Sequence, residues 1–141
     1  MRPRELAVAA SLAAVILPAI ASADPSAPIG ETVTPVFEQA IPNIPGKSLA
    51  ALVVDYAPGG KSASHRHAGS AFVYAHVLQG AVRSQVNDEP ARVYRAGENW
   101  FETPGSHHRV SENASATEPA RLLAVFVVDE SDRPLTAPDP D

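Results

Sequence analysis

The chain has 141 residues and no cysteine, so no disulfide can staple it and an oxidising compartment makes no demand on its fold. A basic stripe is also missing. Eleven lysines and arginines (11) stand against 16 acidic side chains, a formal net charge of −5, which removes the electrostatic footprint of a nucleic-acid binder. No segment sustains a 3.6-residue apolar period, so the pattern does not predict amphipathic helices. Stability has to come from an apolar core, and a single domain of this length can bury well over half its surface. Only one stretch is long and apolar: residues 6–17 follow Arg2 and Arg4, are broken by Pro18 and lead to Ala21-Ser22-Ala23. That is the pattern of a secretory signal peptide over 1–23, cleaved after Ala23 and too short for a comfortable membrane span. The mature chain is then expected to be secreted or periplasmic, with no stable membrane span. An uncleaved amino-terminal anchor is the alternative.

What remains reads as strands. Residues 24–32 are rich in proline and small side chains and read as a flexible leader. Residues 33–40 are a candidate edge strand, and 49–57 a buried one carrying Leu52, Val53, Val54 and Tyr56, ended by Pro58-Gly59-Gly60. Further strands are expected over 71–79, 81–86, 91–95, 99–103, 107–111 and 121–128, with Asn87-Asp88-Glu89-Pro90 as a hairpin turn. Short strands punctuated this regularly by glycine and proline predict a sandwich or barrel. The tail from 129 to 141, with Pro134, Pro138 and Pro140, reads as disordered.

Histidine is where the chemistry concentrates. His65 and His67 flank Arg66, and in an extended segment two residues so spaced point to one face, where two imidazoles can grip one metal ion. Downstream, Pro104-Gly105 is a tight turn that delivers a further imidazole, His107 or His108, on another strand. Three neutral imidazoles with open positions make the ligand set of a catalytic rather than a closed structural site. His76 lies in an apolar strand, but parity counted from Gly80 places it with Phe72, Tyr74 and Leu78, on the face opposite Val73, Ala75 and Val77. A packed, hydrogen-bonded histidine is expected there. Phe72, Tyr74, Trp100, Phe101 and Phe126 read mostly as core, with one or two lining a pocket. Asn113-Ala114-Ser115 matches a glycosylation acceptor, though support of the turn carrying the histidine is the better reading of Asn113.

These residues resemble the cupin superfamily. Gly59, five residues, His65-Arg66-His67 and a closing Gly80 are similar to its first motif. Gly97, the strand over 99–102, Pro104-Gly105, His108 and Asn113 are similar to its second. The resemblance spans residues 47–128 and implies an all-β fold, the cupin jelly-roll barrel or double-sheet Greek-key sandwich, with the domain over 33–128. It also implies a divalent metal ion, Fe(II), Mn(II), Zn(II) or Ni(II), on His65, His67 and His108, since the family histidine falls at His108 and His107 then points away. The chain departs from the family at one place: the usual glutamate of the first motif falls at Val73. The site has three histidines or borrows a carboxylate, and Glu102 is nearest in sequence, as a fourth ligand, a general base or a surface charge.

A three-histidine site of this kind suits a metal-dependent enzyme acting on a small-molecule substrate, an oxidoreductase or dioxygenase in the first reading. Val73, Ala75 and Val77 imply a partly apolar one. An isomerase, cyclase or decarboxylase uses the same Lewis acid, and a module that binds a metal or small ligand without turnover has the same residues. A homodimer is one arrangement open to the chain.

Overall fold

The computed structural model describes residues 28–140. The expected signal peptide and the first residues of the expected leader, 24–27, lie outside the described residues. Ten strands follow in order: β1 (Ile29–Ala40), β2 (Lys47–Lys61), β3 (His65–His67), β4 (Phe72–Gln79), β5 (Ala81–Val86), β6 (Arg92–Arg95), β7 (Asn99–Glu102), β8 (His107–Asn113), β9 (Ala120–Asp129) and β10 (Thr136–Pro138). They form two antiparallel layers. One runs β1-β2-β9-β4-β7 and the other β6-β5-β8-β3-β10, joined where Lys61 of β2 pairs with Glu112 of β8. This is the all-β jelly-roll barrel that the motifs imply. Among the described residues, no helix is long and apolar enough to cross a membrane.

The alternation of side chains explains the layers. On β9, Ala120, Leu122, Ala124, Phe126 and Val128 are buried while the residues between them are not. Its neighbour β2 pairs with it in unbroken register from Lys47↔Asp129 to Tyr56↔Ala120 and buries Ala50, Val54 and Tyr56. With Val73, Ala75 and Val77 of β4 these residues fill two adjoining apolar clusters, and Trp100 and Val82 close the second. Burying the larger of these, such as Val54, Val73, Leu122 and Phe126, is the main source of stability, at about 1.5–3 kcal/mol each.

Four sequence expectations change. Pro58-Gly59-Gly60 does not end β2. Gly59 takes a left-handed φ of 70°, and the register of β1 against β2 shifts here, from Glu31↔Tyr56 to Ile29↔Lys61. The segment is a bulge that carries the strand from one layer to the other. β1 begins at Ile29, inside the expected leader, because β2 offers a free edge along its whole length. In the tail, Thr136–Pro138 pairs with β3: Pro138 is tolerated on an edge strand, where no neighbour needs its missing N–H. Finally, Phe72, Tyr74 and Phe101 are not core. They are 41%, 38% and 64% exposed, since their parity sets them on the outer face of β4 and β7, where Phe72 and Phe101 stack on each other. Trp100 and Phe126 are buried as expected. His76 shares that outer face, half-buried, with Nδ1 3.1 Å from the Tyr74 hydroxyl.

Candidate metal centre

β3 is only three residues long, and its pleat fixes its role: Arg66 faces solvent while His65 and His67 face inward. β8 reaches the same place by way of the Thr103–Ser106 turn. Ser106 N–H donates to Thr103 O at 3.1 Å, and Gly105 has φ 71°, the left-handed third position of a type II turn with Pro104 before it. Ser106 O then accepts from His67 N–H at 3.0 Å, and His65 pairs directly with His108 across the ladder. One irregularity shapes the site further. The β5–β8 register slips between Gln85↔Val110 and Val86↔His108, leaving Arg109 as the extra residue. That bulge lets His108 and Ser111, three apart, both turn inward.

The three imidazoles meet. Their ring centroids lie 5.0, 5.1 and 5.9 Å apart, and one nitrogen of each lies within 4.8 Å of the others. His65 Nδ1–H donates to Ala63 O at 2.8 Å, which leaves Nε2 as its free lone pair. His108 Nε2 sits 2.8 Å from Ser84 Oγ. Burial holds the His65 imidazole below the usual histidine range and pushes His108 down to about 4, so His65 and His108 are neutral donors at neutral pH. His107 turns away: its Nε2 is 3.0 Å from Ser64 Oγ and 2.8 Å from Asp139 Oδ2.

Glu102 is no surface charge. It is 2% exposed, accepts from Trp100 Nε1–H through Oε1 at 3.1 Å and lies 3.4 Å from His108 Nδ1 through the same oxygen. Burial alone would raise its pKa, but His67, His108 and the Trp100 N–H outweigh that and bring it down to about 2. Its position answers the departure from the family motif. Val73, where the motif glutamate would fall, pairs directly with Glu102 in the β4–β7 ladder. Glu102 thus sets a carboxylate one rung across from that position, on the next strand.

The donor set fits a divalent cation. His67 Nε2 lies 2.9 Å from Glu102 Oε2, and neither atom has any other partner. His67 Nδ1 is also buried without one. Buried polar atoms left this way are costly, and a cation shared between a lone-pair nitrogen and a carboxylate oxygen removes the cost.

The centre opens onto a cavity of about 310 Å³ whose other walls include Leu52, Val54, Leu122, Ala124 and Phe126. Val73 lines it as expected, whereas Ala75 and Val77 pack in the core beyond. Sequence reasoning missed Ser84, Glu31, Ser62 and Ser111. Parity could have turned Ser84 inward beside Val82, but nothing local marked the others. Asn113 cannot serve as a glycosylation acceptor in this fold: it is buried, and its Nδ2 donates to Ala57 O and Glu118 O.

Residues 52–126 match the cupin domain family (Cupin_2), and the chain belongs to that family. No curated protein matches the chain. Solved structures share its fold. One is an oxalate oxidase in complex with the substrate analogue glycolate, at 24% identity and a TM-score of 0.58, covering 79% of this chain and 55% of that one. Another is KdgF from Halomonas sp., at 18% and 0.57, covering 72% and 82%. A cupin-2 domain from Rhodospirillum rubrum gives 15% and 0.61, covering 85% and 72%. The chain thus spans 55% of the length of that oxalate oxidase, and at these identities the likeness is one of fold.

Proposed function

We propose that the cavity is the active site of a metal-dependent enzyme, an oxidoreductase of the dioxygenase kind, that acts on a small, partly apolar organic molecule. His65, His67 and His108 hold one divalent ion, Fe(II), Mn(II), Zn(II) or Ni(II), and Glu102 is its fourth ligand. The observation that carries this reading is the buried pair His67 Nε2 and Glu102 Oε2, 2.9 Å apart with no other partner, in the lining of an apolar cavity. When bound, the ion supplies Lewis acidity and, if redox-active, one-electron chemistry. The chain does the rest: Ala63 O orients His65, Ser84 orients His108, and Leu52, Leu122 and Phe126 exclude water from the reacting centre and hold the apolar part of the substrate.

Metal analysis of the protein as isolated, joined to oxygen uptake over a panel of phenolic and aliphatic substrates, tests the reading. About one divalent ion per chain with substrate-dependent oxygen consumption is expected. Stoichiometric metal with neither oxygen uptake nor product would leave a binding module instead. Glu102→Gln separates the roles of that carboxylate. A ligand loses metal and turnover together, whereas a general base keeps the metal and loses about 10²–10⁴-fold in rate.

A further inference from the structure

The metal centre occupies one end of the cavity. A second polar feature runs along its wall as a chain of four side chains from four places in the fold. Ser111 Oγ lies 2.7 Å from the Tyr56 hydroxyl, which lies 2.6 Å from Ser62 Oγ, which donates to Glu31 Oε1. All four line the cavity. The direction of the chain follows from its end. The carboxylate has no hydrogen to give, so Ser62 donates to it and spends its only hydrogen. Ser62 can then only accept from Tyr56, and Tyr56 in turn accepts from Ser111. Burial pushes the Tyr56 phenol up to about 12, so its hydrogen stays in place at any ordinary pH.

Every hydroxyl hydrogen along this stripe thus points toward Glu31. What the stripe shows the cavity is oxygen lone pairs. The charged groups that line the cavity point the same way. Among the described lining residues there is no lysine or arginine, and the two carboxylates, Glu31 and Glu102, are both acidic. A ligand carboxylate laid against this stripe would set lone pairs against lone pairs, with no lysine or arginine lining the cavity to offset the repulsion, since the proposed ion is held by the histidines and not by the stripe.

We infer that the stripe selects the substrate by its donors: a neutral or cationic molecule bearing O–H or N–H groups, an alcohol, phenol or amine with an apolar body, and not a carboxylate. The inference deepens the proposed function, because it rests on the cavity being the substrate site. The polar head lies against Ser111 and Tyr56, and the body lies on Leu52, Val54 and Leu122.

Three probes sharing one ring test it: benzyl alcohol, benzylamine and benzoate, titrated calorimetrically into the full chain after incubation with Zn(II), its bound metal being measured alongside. The quantity read is the ratio of donor-probe affinity to benzoate affinity, compared between wild type and variants, so that any direct attraction of benzoate to the ion cancels. Glu31→Gln places an amide N–H₂ where the carboxylate stood, lets Ser62 accept and allows the chain to reverse. The ratio should fall about tenfold, the value of one hydrogen bond to a charged chain. Tyr56→Phe cuts the chain at its middle and should lower the ratio in the same direction, which keeps the test intact if either variant folds poorly. A ratio that moves less than about twofold in both variants overturns the inference. If wild-type protein takes up no metal yet shows the Glu31-dependent ratio, the proposed enzyme falls and the donor selectivity stands.

Discussion

The two layers of the barrel share one cavity and build it differently. The layer β1-β2-β9-β4-β7 brings long strands: β2 and β9 run beside each other through ten paired positions, Lys47↔Asp129 to Tyr56↔Ala120, and supply Leu52, Val54, Leu122, Ala124 and Phe126 as wall. The layer β6-β5-β8-β3-β10 brings His65, His67, His108 and Ser111, and it does so on short or irregular strands. β3 has three residues and β8 carries the bulge at Arg109. Glu102 is the exception, a ligand candidate offered by the first layer. The apolar wall thus comes mostly from one layer and the metal-site histidines from the other. Losses in one layer should be separable from losses in the other.

The strongest challenge to that separation is Phe126→Ala. Phe126 is 2% exposed in the core of the first layer, yet its ring also stands edge-on to His67 at 5.4 Å. Removing it should cost about 3–5 kcal/mol, the usual range for a buried aromatic, and denaturant unfolding would register this directly. A midpoint that barely moves would mean that β9 does not anchor the barrel. The complementary change is His108→Ala. Metal affinity should fall by about 10²-fold or more, beyond what loss of an outer partner alone produces, while the β signal in circular dichroism remains. If His107→Ala gives that loss instead, the wrong histidine of β8 has been assigned to the ion.

A milder probe is pH, applied to the metal-free protein. His108 is held near 4, below the ordinary 6.5. Between those values the unfolded chain takes up a proton that the folded chain refuses, so stability is complete above about 6.5 and drains as pH falls toward 4. Glu102, held near 2 below its ordinary 4.5, extends the same sign of effect from about 4.5 downward. The unfolding free energy read from urea titrations should therefore decline from neutral pH, by on the order of 3 kcal/mol across the upper window. A midpoint constant between pH 7 and 4.5 would show that His108 is not kept neutral by its burial.

How much of this was legible beforehand depends on whether the signal was local. The His65–His67 spacing and the Pro104-Gly105 turn are short-range chemistry, and they led to the three imidazoles that the fold brings together. Glu102 was singled out by nearness in sequence, but its pairing with Val73 depends on the β4–β7 register, which no local pattern states. Phe72, Tyr74 and Phe101 misled because aromatic character was weighed above parity. The same counting that set His76 on the outer face also placed Phe72 and Tyr74 there. The chain Glu31–Ser62–Tyr56–Ser111 was invisible for a plainer reason. It joins residues from β1, β2, β8 and the β2–β3 connection, and serines at such positions look like any polar loop or strand residue until the layers close.

The smallest expected effect concerns the tail, where composition and structure disagree most. A proline-rich segment gains little from ordering on its own, so something must hold β10 against β3. Beyond the three backbone pairs, Thr136↔His67 to Pro138↔His65, the side-chain tie is Asp139, whose Oδ2 accepts from Ser64 Oγ at 2.7 Å and lies 2.8 Å from His107 Nε2. Those two contacts hold its carboxyl below the usual carboxylate range. Leu135 packs beneath, against the cluster of Val73 and Phe126. Asp139→Ala removes the tie and leaves Leu135 and the ladder in place. Global unfolding should barely change, because the first layer carries it. Hydrogen exchange at the Ala137 amide should speed up, since β10 opens locally without the rest of the barrel. Thr136 and Pro138 line the cavity, so ligand release should speed up with it. Unchanged exchange at Ala137 would mean that the backbone pairs and Leu135 alone keep the strand docked, and that the Ser64–His107–Asp139 contact is a consequence of its docking rather than a cause.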